Sequence, residues 1–436
     1  MKNSFSKLFV LSVLVFLFCL SCASDPFAVP NPVLIPEDFF GITPGTGGNW
    51  ETEDEKLLDG FNAVWVRSTI RWTDVEKEEG QWNFENWDRF VTRAEESGKK
   101  IILVIGFDSR WLYEDNKEHR NLTEKELPYF LKYVEQVAIR YRTRIVYEIW
   151  NEPNWLYWKG PAENFYPLSI AAVKKIREIE PNAIILAGST SRVSERFTRG
   201  MAQSGALEDV DGFSLHPYAA SPKGTIKQIE KLQKILDDLG YKMPIWITEV
   251  GYSTAPISFC NIKRYPEYII KTLCGMAVRA DIVPAIVWFE LRNDYSKGQE
   301  PNRINPTWHF GLVYKDGTDK PGADAFRITA RYLAGAEYRP EFPVREGITK
   351  NITSLYFIKP DGTNVLILWK NDAGKQKLRL SISGSIELIR HDINNGEEVL
   401  LATESLSSDD ISVTLEVSME PVFLTWMGEG KPGLSR

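Results

Sequence analysis

Between residues 36 and 335 the chain repeats one alternation eight times: a short apolar, β-rich run followed by an amphipathic stretch. The runs are FFGI (39–42), NAVWVRS (62–68), KIILVIGF (100–107), RIVYEIW (144–150), AIILAGS (183–189), VDGFSLH (210–216), PIWITEV (244–250) and PAIVWFEL (284–291). Near-continuous apolar strands belong to a parallel sheet covered by helices, where both faces of each strand are buried. Intervening segments such as EKELPYFLKYVEQVAIRY (124–141) and TIKQIEKLQKILDDLG (225–240) read as helices, and the second ends in a capping glycine. Eight such units predict a (β/α)8 TIM barrel over 30–337 rather than an open sheet.

Beyond residue 338 the pattern changes. ITSLYFI, the turn KPDGT and NVLILWK read as strand, turn, strand, and KLRLSIS, SIELIRHD, EVLLA and the ending ISVTLEV to PVFLTWM continue in the same way. Asp361-Gly362 and Asn395-Gly396 are hairpin signals. No helical period appears, so a small C-terminal antiparallel β-sandwich is expected over 338–430.

At the other end, Lys2 and Lys7 precede the apolar run LFVLSVLVFLFCL (8–20), and SCASD follows. Charge, apolar core and small residues in that order describe a secretory signal over 1–21. Cys22 after Ser21 resembles the acylated cysteine of bacterial lipoproteins, although Cys19 stands where leucine is usual. A lipid-anchored protein at the periplasmic or cell surface is the first expectation; a plainly cleaved signal and an uncleaved anchor are the others. Beyond the signal only Cys260 and Cys274 remain, and the sequence leaves open whether they pair.

The formal charge of −7 becomes −9 without residues 1–21, which argues against nucleic acid and against a polybasic membrane patch. The four histidines (119, 216, 309, 391) form no H-E-x-x-H or similar set, and no glycine-rich phosphate loop follows a strand. Neither a metal nor a cofactor is expected, and the chain is expected to be a monomer. The aromatic load is heavy, with 14 Trp, 17 Tyr and 22 Phe, and flat rings suit carbohydrate as well as core.

A barrel of this type keeps its chemistry at the C-terminal ends of its strands. Those ends supply Arg67 with Trp72 beyond it, Phe107 and Asp108, Asn151 and Glu152, His216 and Tyr218, Glu249, and finally Trp288 and Glu290. Each residue alone has an ordinary reading: helix anchor for a glutamate, loop cap for Asp108, core for Trp288. Together they converge. Glu152 and Glu249 end the fourth and seventh strands, across the mouth from each other, where one carboxyl can serve as acid and the other as nucleophile for glycosidic cleavage. Pro153 should hold Glu152 at a last extended position. Asn151 and Glu152 are neighbours, so both reach the site only if the strand end is irregular.

The motifs WNEPN (150–154), HPY (216–218), WITEVG (246–251) and VWFEL (287–291) resemble the retaining glycoside hydrolases of clan A, most closely family 39 and its relatives in families 5 and 30. The resemblance covers the whole barrel, and TLEVSMEPVFLTW (414–426) resembles the sandwich that often follows it. It implies Glu152 as acid/base and Glu249 as nucleophile. It also implies Asn151 on a sugar hydroxyl, Arg67 and Tyr218 on Glu249, His216 beside Glu152, and Trp288 as the floor of the cleavage subsite. The polar dyad that several members carry after strand three is absent from GFDSRWLYED. In that scheme the charge on Glu249 raises the pKa of Glu152 and keeps it protonated. Trp155 and Trp308, with Trp158 and Trp111, are candidate sugar platforms, and the long connection 292–311 is a candidate substrate wall. The rival expectation is a carbohydrate-binding protein on the same barrel without turnover.

Overall fold

The computed structural model describes residues 25, 27–45, 52–294, 305–340, 351–382, 386–404, 411–428 and 432–435. The expected signal at 1–21 and Cys22 lie outside the described residues. Among those described, no helix is long and apolar enough to cross a membrane.

All eight apolar runs are strands. β2 (Phe40–Ile42), β3 (Trp65–Ile70), β4 (Lys100–Ile105), β5 (Val146–Ile149), β6 (Ile184–Ser191), β7 (Gly212–His216), β8 (Ile245–Val250) and β9 (Ile286–Trp288) close into a parallel barrel, with β9 pairing back onto β2. Their side chains divide by parity. One set, including Val66, Leu103, Tyr147, Ile185, Ile247 and Ile286, faces the helices. The other, Trp65, Ile102, Val146, Leu186, Trp246, Ala285 and Val287, plugs the barrel interior.

The helical cover follows the sequence pattern. Ala162–Ile179 and Pro222–Asp238 bury one stripe each; in the latter, Ser221 caps the start by accepting from the Gly224 amide (3.3 Å), and Gly240 takes the left-handed turn (φ +82°) after the end. Cys260 and Cys274 are buried free thiols.

The C-terminal region is two antiparallel sheets. β10 (Glu337–Tyr338), β11 (Ile352–Ile358), β12 (Thr363–Lys370), β17 (Val422–Met427), β14 (Ile386–His391) and β15 (Glu398–Glu404) lie in the larger sheet. β16 (Ile411–Val417), β13 (Gln376–Ile382) and β18 (Pro432–Ser435) form the smaller. Both expected turns are present, with Gly362 (φ +85°) and Gly396 (φ +74°) at positive φ. Alternation sorts the larger sheet: Tyr356, Leu366, Leu368 and Leu424 face the second sheet, while Leu355, Phe357, Val365, Ile367 and Phe423 join the barrel core. The sandwich therefore rests on the barrel's helical flank.

Sequence pattern missed three short strands: β10, β18 beyond the expected end at 430, and one at the start of the chain. β1 (Val33–Leu34), which precedes the barrel, pairs with β10 at the edge of the larger sheet. Nearby, Phe27 packs edge-on to Trp369 (5.2 Å) and Asp25 accepts from the Thr353 hydroxyl. Two residues are too few to show a period.

Candidate active site

Two residues beyond Trp65, Val146 and Trp246 of the apolar plug stand Arg67, Glu148 and Thr248, joined by Ser214 two beyond Gly212 on β7, so this side of the next inward layer is polar, while β4 adds the apolar Val104. Glu148 is its centre. One carboxylate oxygen accepts from Arg67 Nε (2.7 Å); the other accepts from the hydroxyls of Ser189 (2.8 Å), Ser214 (2.5 Å) and Thr248 (2.8 Å). Burial opposes its ionisation. The Arg67 charge, and then His216, overcome that and hold the carboxyl far below the usual range.

Arg67 carries this order up to the mouth. Its remaining nitrogens reach Glu249 Oε2 (2.8 Å) and Asn151 Oδ1 (2.7 Å). The Tyr218 hydroxyl donates to the other Glu249 oxygen (2.6 Å), so both oxygens of Glu249 are held. Gly251 lets this strand end approach its neighbour: a Cβ there would lie 2.0 Å from the Phe289 carbonyl oxygen.

Glu152 is reached differently. β5 ends at Ile149, and Trp150 (φ +67°) and Glu152 (φ +46°) adopt left-handed backbone. The expected extended position is thus corrected. The Glu152 amide is tied to the Ser189 carbonyl (2.8 Å) and its carboxylate to His216 Nδ1 (3.1 Å), which fixes the turned conformation. That turn resolves the parity problem, because Asn151 and Glu152 both face the mouth.

The charge arrangement also differs from expectation. His216 is fully buried, with carboxylate oxygens of Glu152, Glu148 and Glu249 at 3.1, 3.6 and 3.8 Å. Burial would depress its pKa, but the Glu249 charge and the hydrogen bonds to Glu148 and Glu152 push it up to about 9. Glu152 is lowered rather than raised: burial pushes it up, and the bond and charge of His216 outweigh burial.

Glu152, His216 and Glu249 each turn a ligand-capable atom to within 4.8 Å of the others. A cation there would compete with Arg67, 2.8 Å from Glu249, and with the protonated imidazole. The protein supplies its own positive charge. The same limit puts carboxylate oxygens of Glu152 and Glu249 within 4.8 Å, on the side of retaining enzymes (about 5–5.5 Å between carboxyls) rather than inverting ones (about 6.5–9.5 Å).

The model of the cellulase family, glycosyl hydrolase family 5, matches residues 43–280, a span containing all of Arg67, Glu148, Asn151, Glu152, His216, Tyr218 and Glu249. The chain belongs to that family. It is an O-glycoside hydrolase of the retaining, clan A type. Solved structures with the same fold include a family 39 glycoside hydrolase from the gut symbiont Bacteroides cellulosilyticus WH2 (20% identity, TM-score 0.72, covering 89% of this chain and 81% of that one). A monomeric beta-xylosidase from Caulobacter crescentus CB15 is similar at 13% identity and TM-score 0.67, over 90% and 97% of the two chains. A family 30 subfamily 8 xylanase from Clostridium acetobutylicum is similar at 10% identity and TM-score 0.57, over 91% and 100%. A comparison with curated protein sequences gives no match.

Within this family 5 barrel some sequence-derived candidates fall elsewhere. Trp288 is not a subsite floor. It is fully buried on the helix-facing side against Tyr252, Tyr265 and Phe326, and its indole donates to the Tyr265 hydroxyl (3.3 Å). Its neighbour Val287 faces inward, so strand parity turns Trp288 out. Phe289, part-exposed, packs on Phe310 (5.6 Å), which packs on Tyr218 (5.9 Å), giving an aromatic wall beside Glu249. Trp158 is core, its indole bonded to the Pro161 carbonyl (2.9 Å). Trp111 packs on Trp72 and Tyr129. Trp155 is 53% exposed on the turn after Glu152, and Trp308 is part-buried in the short helix Pro306–His309, beside the Ser253–Thr254 loop that follows β8. Asp108 caps its loop by accepting the amides of His119 (2.6 Å) and Arg120 (2.8 Å).

Sequence reasoning passed over Glu148, Ser214, Thr248 and Tyr157. Glu148 had a usable signal: it is the one charge inside the apolar part of its strand.

Proposed function

We propose that Glu249 is the nucleophile and Glu152 the acid/base of a two-step hydrolysis of a poly- or oligosaccharide. The observation that carries this is the facing pair itself: Glu249 held by Arg67 and Tyr218 on its two oxygens, Glu152 held by His216, with oxygens inside 4.8 Å. In the first step a Glu249 oxygen bonds to the anomeric carbon, the glycosidic C–O bond breaks, and the leaving oxygen takes a proton from Glu152. That proton reaches Glu152 from His216 Nδ1 as the sugar displaces water and raises the cost of the carboxylate. In the second step Glu152 takes a proton from water, whose oxygen displaces Glu249 from the anomeric carbon. In this reading Asn151 binds a sugar hydroxyl, and Trp155, Trp308 and the Phe289–Phe310 wall take ring faces. Glucan and xylan stand first among substrates to test, because similar proteins are named for them. Export with a lipid anchor at Cys22, and action as a monomer, complete the proposal.

Azide separates the roles. Glu152→Ala should keep first-step activity on an aryl glycoside with a good leaving group, and azide should restore turnover, giving a glycosyl azide of retained configuration. Glu249→Ala should not be rescued by the leaving group, and azide should give at most slow product of inverted configuration. Swapped behaviour reverses the assignment; near-wild-type turnover in both moves the chemistry elsewhere.

A further inference from the structure

Beside Glu152, the loops after β3 and β4 hold three arginines around one carboxylate. Arg71 makes the ion pair with Glu118. Arg110 Nε and Arg120 Nε stand 3.8 Å from the same carboxylate, beyond hydrogen-bond reach. Each guanidinium offers five N–H donors, and neither Arg110 nor Arg120 makes a side-chain hydrogen bond among the described residues. Arg110 is 55% exposed and can be served by water. Arg120 is only 27% exposed and lies over two rings, 5.1 Å from Phe107 and 4.9 Å from Tyr157, which stack on each other at 5.4 Å.

The backbone aims Arg120 there. Its φ is +54°, its amide is held by Asp108 (2.8 Å), and its carbonyl accepts from the Lys159 amide (2.9 Å). Tyr157 ends the turn that Glu152 begins: the Trp155 amide bonds the Glu152 carbonyl (3.0 Å), and the Tyr157 carbonyl accepts from the Trp150 indole (2.8 Å). Only one aromatic ring therefore separates Arg120 from the turn that carries the acid. Other acids nearby do not complete the guanidiniums. Asp108 accepts both backbone amides on Oδ2 and its buried Oδ1 makes no hydrogen bond to either guanidinium, Asp115 pairs with His119, and burial pushes the Asp74 carboxyl up.

We propose that this quarter of the mouth binds an anionic group on the substrate, a uronate carboxylate or a sulfate ester, through Arg120 with Arg110, next to the sugar being cleaved. A planar fork of donors suits both oxyanions, and its partial desolvation over the rings strengthens the bond. The proposal rests on the glycosidase reading and narrows its substrate to acidic or sulfated carbohydrate.

The test is binding of D-glucuronate, D-glucose 6-sulfate and D-glucose to the whole protein at low salt, by calorimetry or ligand-observed NMR, for wild type, Arg120→Gln and Arg110→Gln. At least one charged sugar should bind about tenfold tighter than glucose, as a charge-assisted contact allows. The preference should vanish in Arg120→Gln and shrink in Arg110→Gln, and whichever charged sugar wins identifies the group. Arg110 is exposed, so its variant tests the site even if Arg120→Gln fails to fold by circular dichroism. Equal binding of charged and neutral sugars by wild type, or a preference that survives in the folded variants, overturns the proposal. Hydrolysis of native against carboxyl-reduced glucuronoxylan, with aryl glycosides, is run in parallel. Turnover without a charge preference sinks this inference alone; charged-sugar binding without any turnover sinks the glycosidase reading alone.

Discussion

Two arginine–carboxylate clusters stand side by side at the barrel mouth with opposite stoichiometry. In one, a single guanidinium serves Glu148, Glu249 and Asn151, and is buried with every partner in place. In the other, three guanidiniums crowd one carboxylate and two of them are left without hydrogen bonds among the described residues. Saturation and insufficiency mean different things. A saturated cluster fixes geometry, since every atom has one place to be; an unsaturated one has capacity left for a ligand.

The largest effect should come from unbalancing the saturated cluster. Glu148→Gln keeps shape but must turn an amide N–H either to Arg67 or to the hydroxyls of Ser189, Ser214 and Thr248. Breaking one partner of a buried pair costs about 3 kcal/mol or more, read as a lower urea midpoint. The displaced Arg67 should lower kcat about a hundredfold, since loss of alignment alone has that scale. A variant with wild-type kcat would mean that Glu148 only fills space.

His216 gives the next effect. Its pKa is raised from 6.5 to about 9 in the folded protein. Its contribution is therefore complete below pH 6.5 and is lost as pH rises through about 9, on the order of 3 kcal/mol in total. Urea titrations across that window should show falling stability, and His216→Asn should remove the slope. A flat wild-type profile would show that the imidazole is neutral in the folded state.

The smallest effect belongs to the unsaturated cluster. Glu118→Gln removes the only carboxylate among the described residues that is ion-paired to these three guanidiniums, but Arg71 is one-third exposed, so the cost should be about 1 kcal/mol or less and should shrink with added salt. A loss as large as that of Glu148→Gln would make the two clusters equivalent and end the contrast.

Period and position were legible in the sequence: eight strands, the hairpin turns, and the strand-end residues Arg67, Asn151, Glu152, His216, Tyr218 and Glu249 that the barrel brings together. Parity was not. VWFEL does not say which of Trp288 and Phe289 looks inward; that follows from Val287 in a closed barrel. The direction of the Glu152 shift was also hidden, because it depends on the 3.1 Å approach of a histidine 64 residues away. Glu148 was visible as a charge within its strand but passed over, since a local pattern does not show that three hydroxyls and a guanidinium converge on it.

The two-residue strand Val33–Leu34 has a consequence for how this chain can be divided. It sits on the rim of a sheet whose other members come from 300 residues later, and one face of that sheet is finished by barrel helices. Cutting at residue 338 would leave half of the sheet's greasy surface bare and its rim unpaired, so the tail is no cassette. Head and tail are stitched into one seam, and any useful cut must run elsewhere.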